Sequence, residues 1–199
     1  MPKLTKVRKS AHHLTTPLLP LLVKTHITPT TLTWIGFAIT LGAAALIATG
    51  HLFIAGFVVL ASGFFDMLDG ALARHTKQVT RFGAVLDSTL DRVSEALLLL
   101  AILIFYLLSG SQSTIGILVV SLALVASPLV SYIRSRAEAI GLECKIGLFT
   151  RAERVITLAV GLWLSYFSCA LIIALGIIAV FSFITAGQRL SYVRKHTKE

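Results

Sequence analysis

Apolar runs dominate the chain and recur at about 32–49, 53–73, 88–108, 113–133, 154–168 and 170–187. Most approach the about 20 residues a helix needs to cross the hydrocarbon core. The fifth is short, so tilt or local bilayer thinning is expected there. Upstream, residues 10–26 are too short and too interrupted to cross, with Pro17 and Pro20 inside them. Leu14, Leu18, Leu21 and Leu22 fall roughly on one helical face, which predicts an amphipathic helix lying in the interface. Thr28-Pro29-Thr30 has the form of a helix start, with Thr as cap and Pro in the first turn. Pro128 predicts a kink in the fourth span. The pattern predicts an all-α integral membrane protein of six transmembrane helices, preceded by the interfacial helix. It forms one domain over 1–199, with its bundle over 32–187.

Composition agrees: 56% of residues are hydrophobic and 14% charged, against about 25% charged in a soluble domain. No polar stretch is long enough for a second domain. Pro17 and Pro20 follow the basic N-terminus without a small-residue cleavage site, so no cleavable signal is expected. The formal net charge of +9 would suggest nucleic acid in a soluble protein. Here it predicts a basic membrane face meeting anionic headgroups or a phosphorylated substrate, and no nucleic acid.

All 18 Lys and Arg lie in four places: the N-terminal segment, the second-to-third connection with its flanks, the fourth-to-fifth loop and the C-terminus. The other connections carry none, and the nine acids share the charged side. The positive-inside rule then puts both termini and any chemistry in the cytoplasm. Cys144 and Cys169 fall on opposite sides, so no disulfide joins them.

The second and third spans meet in D-M-L-D-G-A-L-A-R-H-T-K-Q-V-T-R-F-G-A-V-L-D-S-T-L-D, residues 66–91. Asp66 and Asp69 are spaced i, i+3, and Asp87 and Asp91 i, i+4, so each pair shares a helix face. Carboxylates in apolar helices are costly and need a partner or a task. Four facing one small volume would repel and protonate. Hard divalent ions relieve this, and Mg²⁺ keeps positions for phosphate oxygens and water. Two such ions would clamp a phosphoryl displacement. Gly70 and Ala73 leave room for a ligand against the helix, and Arg74 offers a planar fork of donors to phosphate. Thr80 lies where it could reach a nucleotide, and Gly83 lets two helix ends approach.

D-x2-D-G-x2-A-R-x8-G-x3-D-x3-D, here Asp66, Asp69, Gly70, Ala73, Arg74, Gly83, Asp87 and Asp91, resembles the signature of the CDP-alcohol phosphotransferases. The resemblance implies a six-helix membrane enzyme, commonly a homodimer, that displaces CMP from a CDP-linked alcohol with a second alcohol. It implies that Asp66, Asp69 and Asp87 hold two Mg²⁺ or Mn²⁺ ions with a contribution from Asp91, and that Asp91 is the general base. It places Gly70, Arg74 and Thr80 on the CDP moiety. The T-P-T-T-L-T run resembles the family's segment before the first span, which implies nucleotide contacts from Thr30, Thr31, Leu32 and Thr33. Thr30 stands where Asn or Asp is frequent.

The acceptor must be read elsewhere. Y-I-R-S-R-A-E ends span four, T-R-A-E-R opens span five and Q-R-L ends span six. Arg134, Arg151, Arg154 and Arg189 could form a pocket for a phosphate monoester, while Glu138 and Glu153 could equally pair with some of them. These segments resemble those of the phosphatidylinositol phosphate synthase subfamily, with Arg134 in place of Lys and Ala152 in place of Pro. The implied reaction joins 1D-myo-inositol 3-phosphate to CDP-diacylglycerol, or to CDP-archaeol in the archaeal counterpart. Phosphatidylglycerophosphate synthesis from glycerol 3-phosphate is the alternative acceptor chemistry. A cation transporter is the alternative from another class, disfavoured because the acids crowd one side and no internal repeat is present.

Overall fold

The computed structural model describes residues 23, 27–108, 113–167 and 169–197. The predicted interfacial helix over 10–26 lies outside them, apart from Val23, which is helical. Among the described residues the chain is all-α. Its helices are α1 (Pro29–Ala48), α2 (Leu52–His75), α3 (Arg81–Leu108), α4 (Thr114–Ala139), α5 (Arg151–Trp163) and α6 (Ala170–His196), with a 3₁₀ turn at Leu164–Tyr166.

Four of these, α1, α2, α4 and α6, are long and apolar enough to cross a membrane. The other two depart from the sequence pattern for identifiable reasons. α3 begins at Arg81 rather than at the apolar run, because the Thr80 hydroxyl accepts a hydrogen bond from Gly83 N (2.9 Å) and starts the helix there. The charged motif thus continues one helix with the apolar run. α5 has 13 residues before it tightens into the 3₁₀ turn. α6 runs to His196, beyond its apolar run, and closes on Arg194, Lys195 and His196, cations suited to the negative end of a helix. The predicted start of α1 is present: Thr28 caps Thr31 N at 3.2 Å, and Pro29 opens the first turn.

The helices close a ring. α1 packs on α2 and α3, α2 on α5, α5 on α6, α6 on α4, and α4 on α3. At one end the ring is filled by apolar side chains from all six helices, among them Ile47, Val59, Ile102, Val120, Leu162 and Leu175. The outer face is apolar too. Leu118, Leu122, Val125 and Leu129 form an exposed stripe on α4, and Phe53, Ile54 and Phe57 another on α2. Such surface belongs against lipid. Between helices, small and polar side chains set the approach, as they do in apolar solvent. The Thr40 hydroxyl lies 3.0 Å from Ser62 Oγ in a buried bond between α1 and α2.

Gly56 of α2 receives Trp163 at the end of α5. A Cβ there would lie 2.6 Å from the indole. Gly56→Ala should lower the thermal stability of the detergent-solubilised protein by about 1–3 kcal/mol through overpacking. Gly42 of α1 has no neighbour among the described residues within 4 Å of where a Cβ would stand, so Gly42→Ala should be neutral or stabilising in the same unfolding assay.

Candidate active site

The charged end of the ring is built from the last turns of α2, α4 and α6 and the first turns of α1, α3 and α5. The turn from α2 to α3 is held locally. Lys77 takes φ +56° just past the α2 cap, and Gln78 N donates to Ala73 O (3.0 Å). This left-handed cap closes the last turn of α2. It brings Asp66 and Asp69 beside Asp87 and Asp91, with every pair of the four within Coulombic reach.

Two cavities open here. The first, of about 300 Å³, is lined by Thr30, Thr33, Asp69, Gly70, Ala73, Arg74, Thr80, Gly83 and Asp87, among others. Most of the residues expected to contact the CDP group are therefore gathered in one place. Thr31 and Leu32 are not. Thr30 and Thr33 are three apart on α1 and share a face, whereas Thr31 bonds the Thr28 hydroxyl (2.8 Å) and Leu32, 1% exposed, packs against Leu72. Their side chains contribute to the cap and core of α1 and not to the cavity. Thr80 both caps α3 and lines the space. The Arg74 guanidinium folds over Gly70, 3.3 Å from where a Cβ would stand.

The second cavity, about 560 Å³, lies on the other side of α3 and is lined by Asp87, Ser88, Asp91, Arg92, Glu95, Ser131, Arg134, Arg151, Arg154 and Arg189, among others. Ala84 and Asp87 line both cavities. Ala84, Asp87, Ser88, Asp91, Arg92 and Glu95 follow helical periodicity, so one stripe of α3 forms the wall.

All four arginines expected at an acceptor phosphate reach this cavity, each with an intramolecular partner. Arg134 pairs with Glu138 (2.8 Å) where both are half-exposed. Arg151 bridges the site, Nη2 2.7 Å from Asp66 Oδ2 and Nη1 2.5 Å from Asp91 Oδ1. Arg189 donates to the carbonyls of Ile146 (2.9 Å) and Val130 (2.6 Å). Arg154 differs from the expectation of a direct phosphate ligand. It is 2% exposed, forks onto Glu95 at 2.5 and 2.8 Å and reaches Phe149 O at 3.4 Å. Its donors are engaged, and it supports the cavity wall. Glu95 falls outside the sequence motif, although it stands four residues beyond Asp91, as Asp91 does beyond Asp87; that spacing is the signal that could have found it. Among the described residues Glu153 does not pair with an arginine; it forms the capping box of α5 with Thr150, accepting from Thr150 N at 2.8 Å.

The four carboxylates share one volume, but not as a preformed cage. Among the described residues no three His, Cys, Asp or Glu side chains are placed to hold an ion as they stand, and the Arg151 guanidinium lies between Asp66 and Asp91. The donor set nevertheless fits a hard cation. Asp69 is 3% exposed, and its Oδ2 has no hydrogen-bond partner among the described residues. A buried carboxylate oxygen left without donors is costly unless a cation completes it.

Known proteins share this chain's sequence pattern and fold. A family model described as CDP-alcohol phosphatidyltransferase matches residues 26–186. A phosphatidylinositol phosphate synthase of Mycobacteroides abscessus is 39% identical over 191 residues, 94% of this chain and 86% of that protein. An archaetidylinositol phosphate synthase of Methanothermobacter thermautotrophicus is 38% identical over 172 residues, 84% of this chain and 83% of its own length. The crystal structure of Mycobacterium tuberculosis phosphatidylinositol phosphate synthase with CDP-DAG bound superimposes with a TM-score of 0.82 at 36% identity, covering 91% of this chain and 94% of that one. The same enzyme in complex with manganese and citrate gives 0.83, covering 90% and 88%. With the signature aspartates gathered at one end of a matching helical ring, the chain belongs to the CDP-alcohol phosphatidyltransferase family and is a transferase.

Proposed function

We propose that this transferase moves the phosphatidyl or archaetidyl group of a CDP-lipid onto 1D-myo-inositol 3-phosphate and releases CMP. One observation carries the reading: two cavities share the Asp87 wall of α3, one lined by the nucleotide-type residues Thr33, Gly70, Arg74 and Thr80, the other by arginines. A donor and a phosphorylated acceptor placed in them would meet at the aspartates. Relatives from both a bacterium and an archaeon are named for inositol phosphate lipid synthesis. The hydroxyls of Ser88, Ser131 and Thr150 around the second cavity suit a polyol ring.

In this mechanism Arg74 holds the pyrophosphate of the donor over Gly70. Asp91 faces the acceptor cavity and takes the proton of the attacking hydroxyl as its oxygen bonds the lipid-bearing phosphorus. The anhydride bond breaks in line, and CMP departs. Asp66, Asp69 and Asp87, with Asp91, would hold two Mg²⁺ or Mn²⁺ ions, which neutralise charge on the pyrophosphate oxygens. Arg134, Arg151 and Arg189 face the acceptor phosphate, with Arg154 holding the wall behind them.

The same reading takes residues 1–199 as one membrane domain with six crossings and an N-terminal interfacial helix. Short α5 crosses with its 3₁₀ extension, and both termini and the site face the cytoplasm by the distribution of Lys and Arg. A homodimer is the state that the family resemblance implies.

Purified protein given CDP-diacylglycerol or CDP-archaeol should release CMP with inositol 3-phosphate and divalent metal, and stop on chelation. Release with glycerol 3-phosphate instead would overturn the acceptor. Asp91→Asn should cut turnover about 10²–10⁴-fold while CDP-lipid affinity, measured by titration, is retained; a variant that turns over normally removes Asp91 from the role of base. Arg154→Ala strands the nearly buried Glu95 and should cost about 3–5 kcal/mol of stability, read as a lowered melting temperature in detergent.

A further inference from the structure

Five arginines line the second cavity, and of the α3 residues that wall it the family motif includes only Asp87 and Asp91. The fifth arginine, Arg92, directly follows Asp91 on the α3 stripe. Its electrostatic position differs from that of the other four. Arg134, Arg151 and Arg154 each have a carboxylate partner. Arg189 is 5% exposed and fixed by two main-chain carbonyls. Arg92 is part-exposed and donates Nη2 to a neutral hydroxyl, Ser135 Oγ of α4, at 2.8 Å. Among the described residues it has no carboxylate within ion-pair distance.

A guanidinium carries five donors in a planar fork. With one of them on a hydroxyl, Arg92 keeps an uncompensated charge and open donors beside the cavity. A dianionic phosphate entering this space would have to displace a carboxylate to gain a bidentate contact with Arg151 or Arg154, and at Arg134, bonded to Glu138 through Nε alone, it would share the charge with that carboxylate. At Arg92 it displaces only a weak neutral bond, so it gains the stronger charge-assisted pair at small cost. The position also suits the chemistry. Arg92 and Asp91 are consecutive on the helix, so a ring phosphate held by Arg92 leaves another hydroxyl of the same small polyol facing Asp91.

Resting on the transferase reading above, we propose that Arg92 is a binding and specificity residue for the acceptor: it takes the acceptor's phosphate monoester and so selects a phosphorylated polyol over a free one. The Ser135 hydroxyl holds the guanidinium between turnovers and makes no contact with the substrate.

The test separates charge from tether. Arg92→Gln keeps an amide donor toward Ser135 but removes the charge; Arg92→Lys keeps the charge; Ser135→Ala removes the tether alone. Steady-state CMP release is measured while the acceptor and the CDP-lipid are varied in turn, with melting temperature followed in detergent. Arg92→Gln should raise the acceptor KM about tenfold or more, the loss of one charge-assisted pair. The donor KM and melting temperature should stay near wild type, Arg92→Lys should recover a substantial part of the loss, and Ser135→Ala should leave the acceptor KM largely unchanged. An unchanged acceptor KM in Arg92→Gln, a loss in Ser135→Ala equal to it, or an equal rise in the donor KM overturns the proposal. Wild-type protein inactive with inositol phosphate would instead defeat the acceptor assigned above, before any variant is compared.

Discussion

Charge inside an apolar bundle is the constraint on which the rest of this structure depends. Asp66, Asp69, Asp87, Asp91 and Glu95 sit on helices that are otherwise built for lipid, and each carboxylate needs a counter-charge that its own helix does not supply. For three of them the supply comes across the ring. Arg151 and Arg154, one turn apart at the start of α5, reach Asp66 on α2 and Asp91 and Glu95 on α3. Three helix ends are thereby pinned together. Buried pairs of this kind add little net stability, but removing one partner is expensive, so they enforce the arrangement rather than strengthen it.

The position of α5 therefore matters more than its 13 residues suggest. Its start is held by a chain of local bonds. Thr150 and Glu153 form its capping box. Phe149 N donates to Thr185 Oγ1 of α6 (3.1 Å), and Arg189 secures Ile146 O. Gly147 takes φ +139°, with Thr185 Cγ2 2.7 Å from where a Cβ would be, so the loop reaches α6 only because that position has no side chain. Contacts between this loop and α6 thus help decide where the Arg151 guanidinium lies.

α3 links membrane anchoring to catalysis. Its second half contributes Leu98, Leu99 and Ile102 to the apolar plug of the ring. Its first half presents one polar stripe that walls both cavities. The single helix keeps Asp87 and Asp91 in fixed relation to each other and to the plug below. A different acceptor could be accommodated by changing what faces that stripe from α4, α5 and α6, while the donor side stays with α1, α2 and α3.

The sequence by itself determined the local features. The helices were legible from the apolar runs, the α1 start from Thr28 and Pro29, and the carboxylate motif from spacings of three and four, because each depends on residues within a turn or two of one another. The basic character of the second cavity was also legible, since Arg134, Arg151, Arg154 and Arg189 all stand in the charged segments at helix ends. Tertiary structure alone decided the pairings. Glu95 and Arg154 are 59 residues apart, and Arg151 and Asp66 are 85 apart; no periodicity connects them. It decided too that Thr31 and Leu32 turn away from the cavity that Thr30 and Thr33 line, because only the packing of α1 against α2 says which helical face is inward. Arg154 and Arg92 illustrate the difference. Both are arginines beside acidic motifs, and which one is engaged and which one is open depends on the helix that packs opposite.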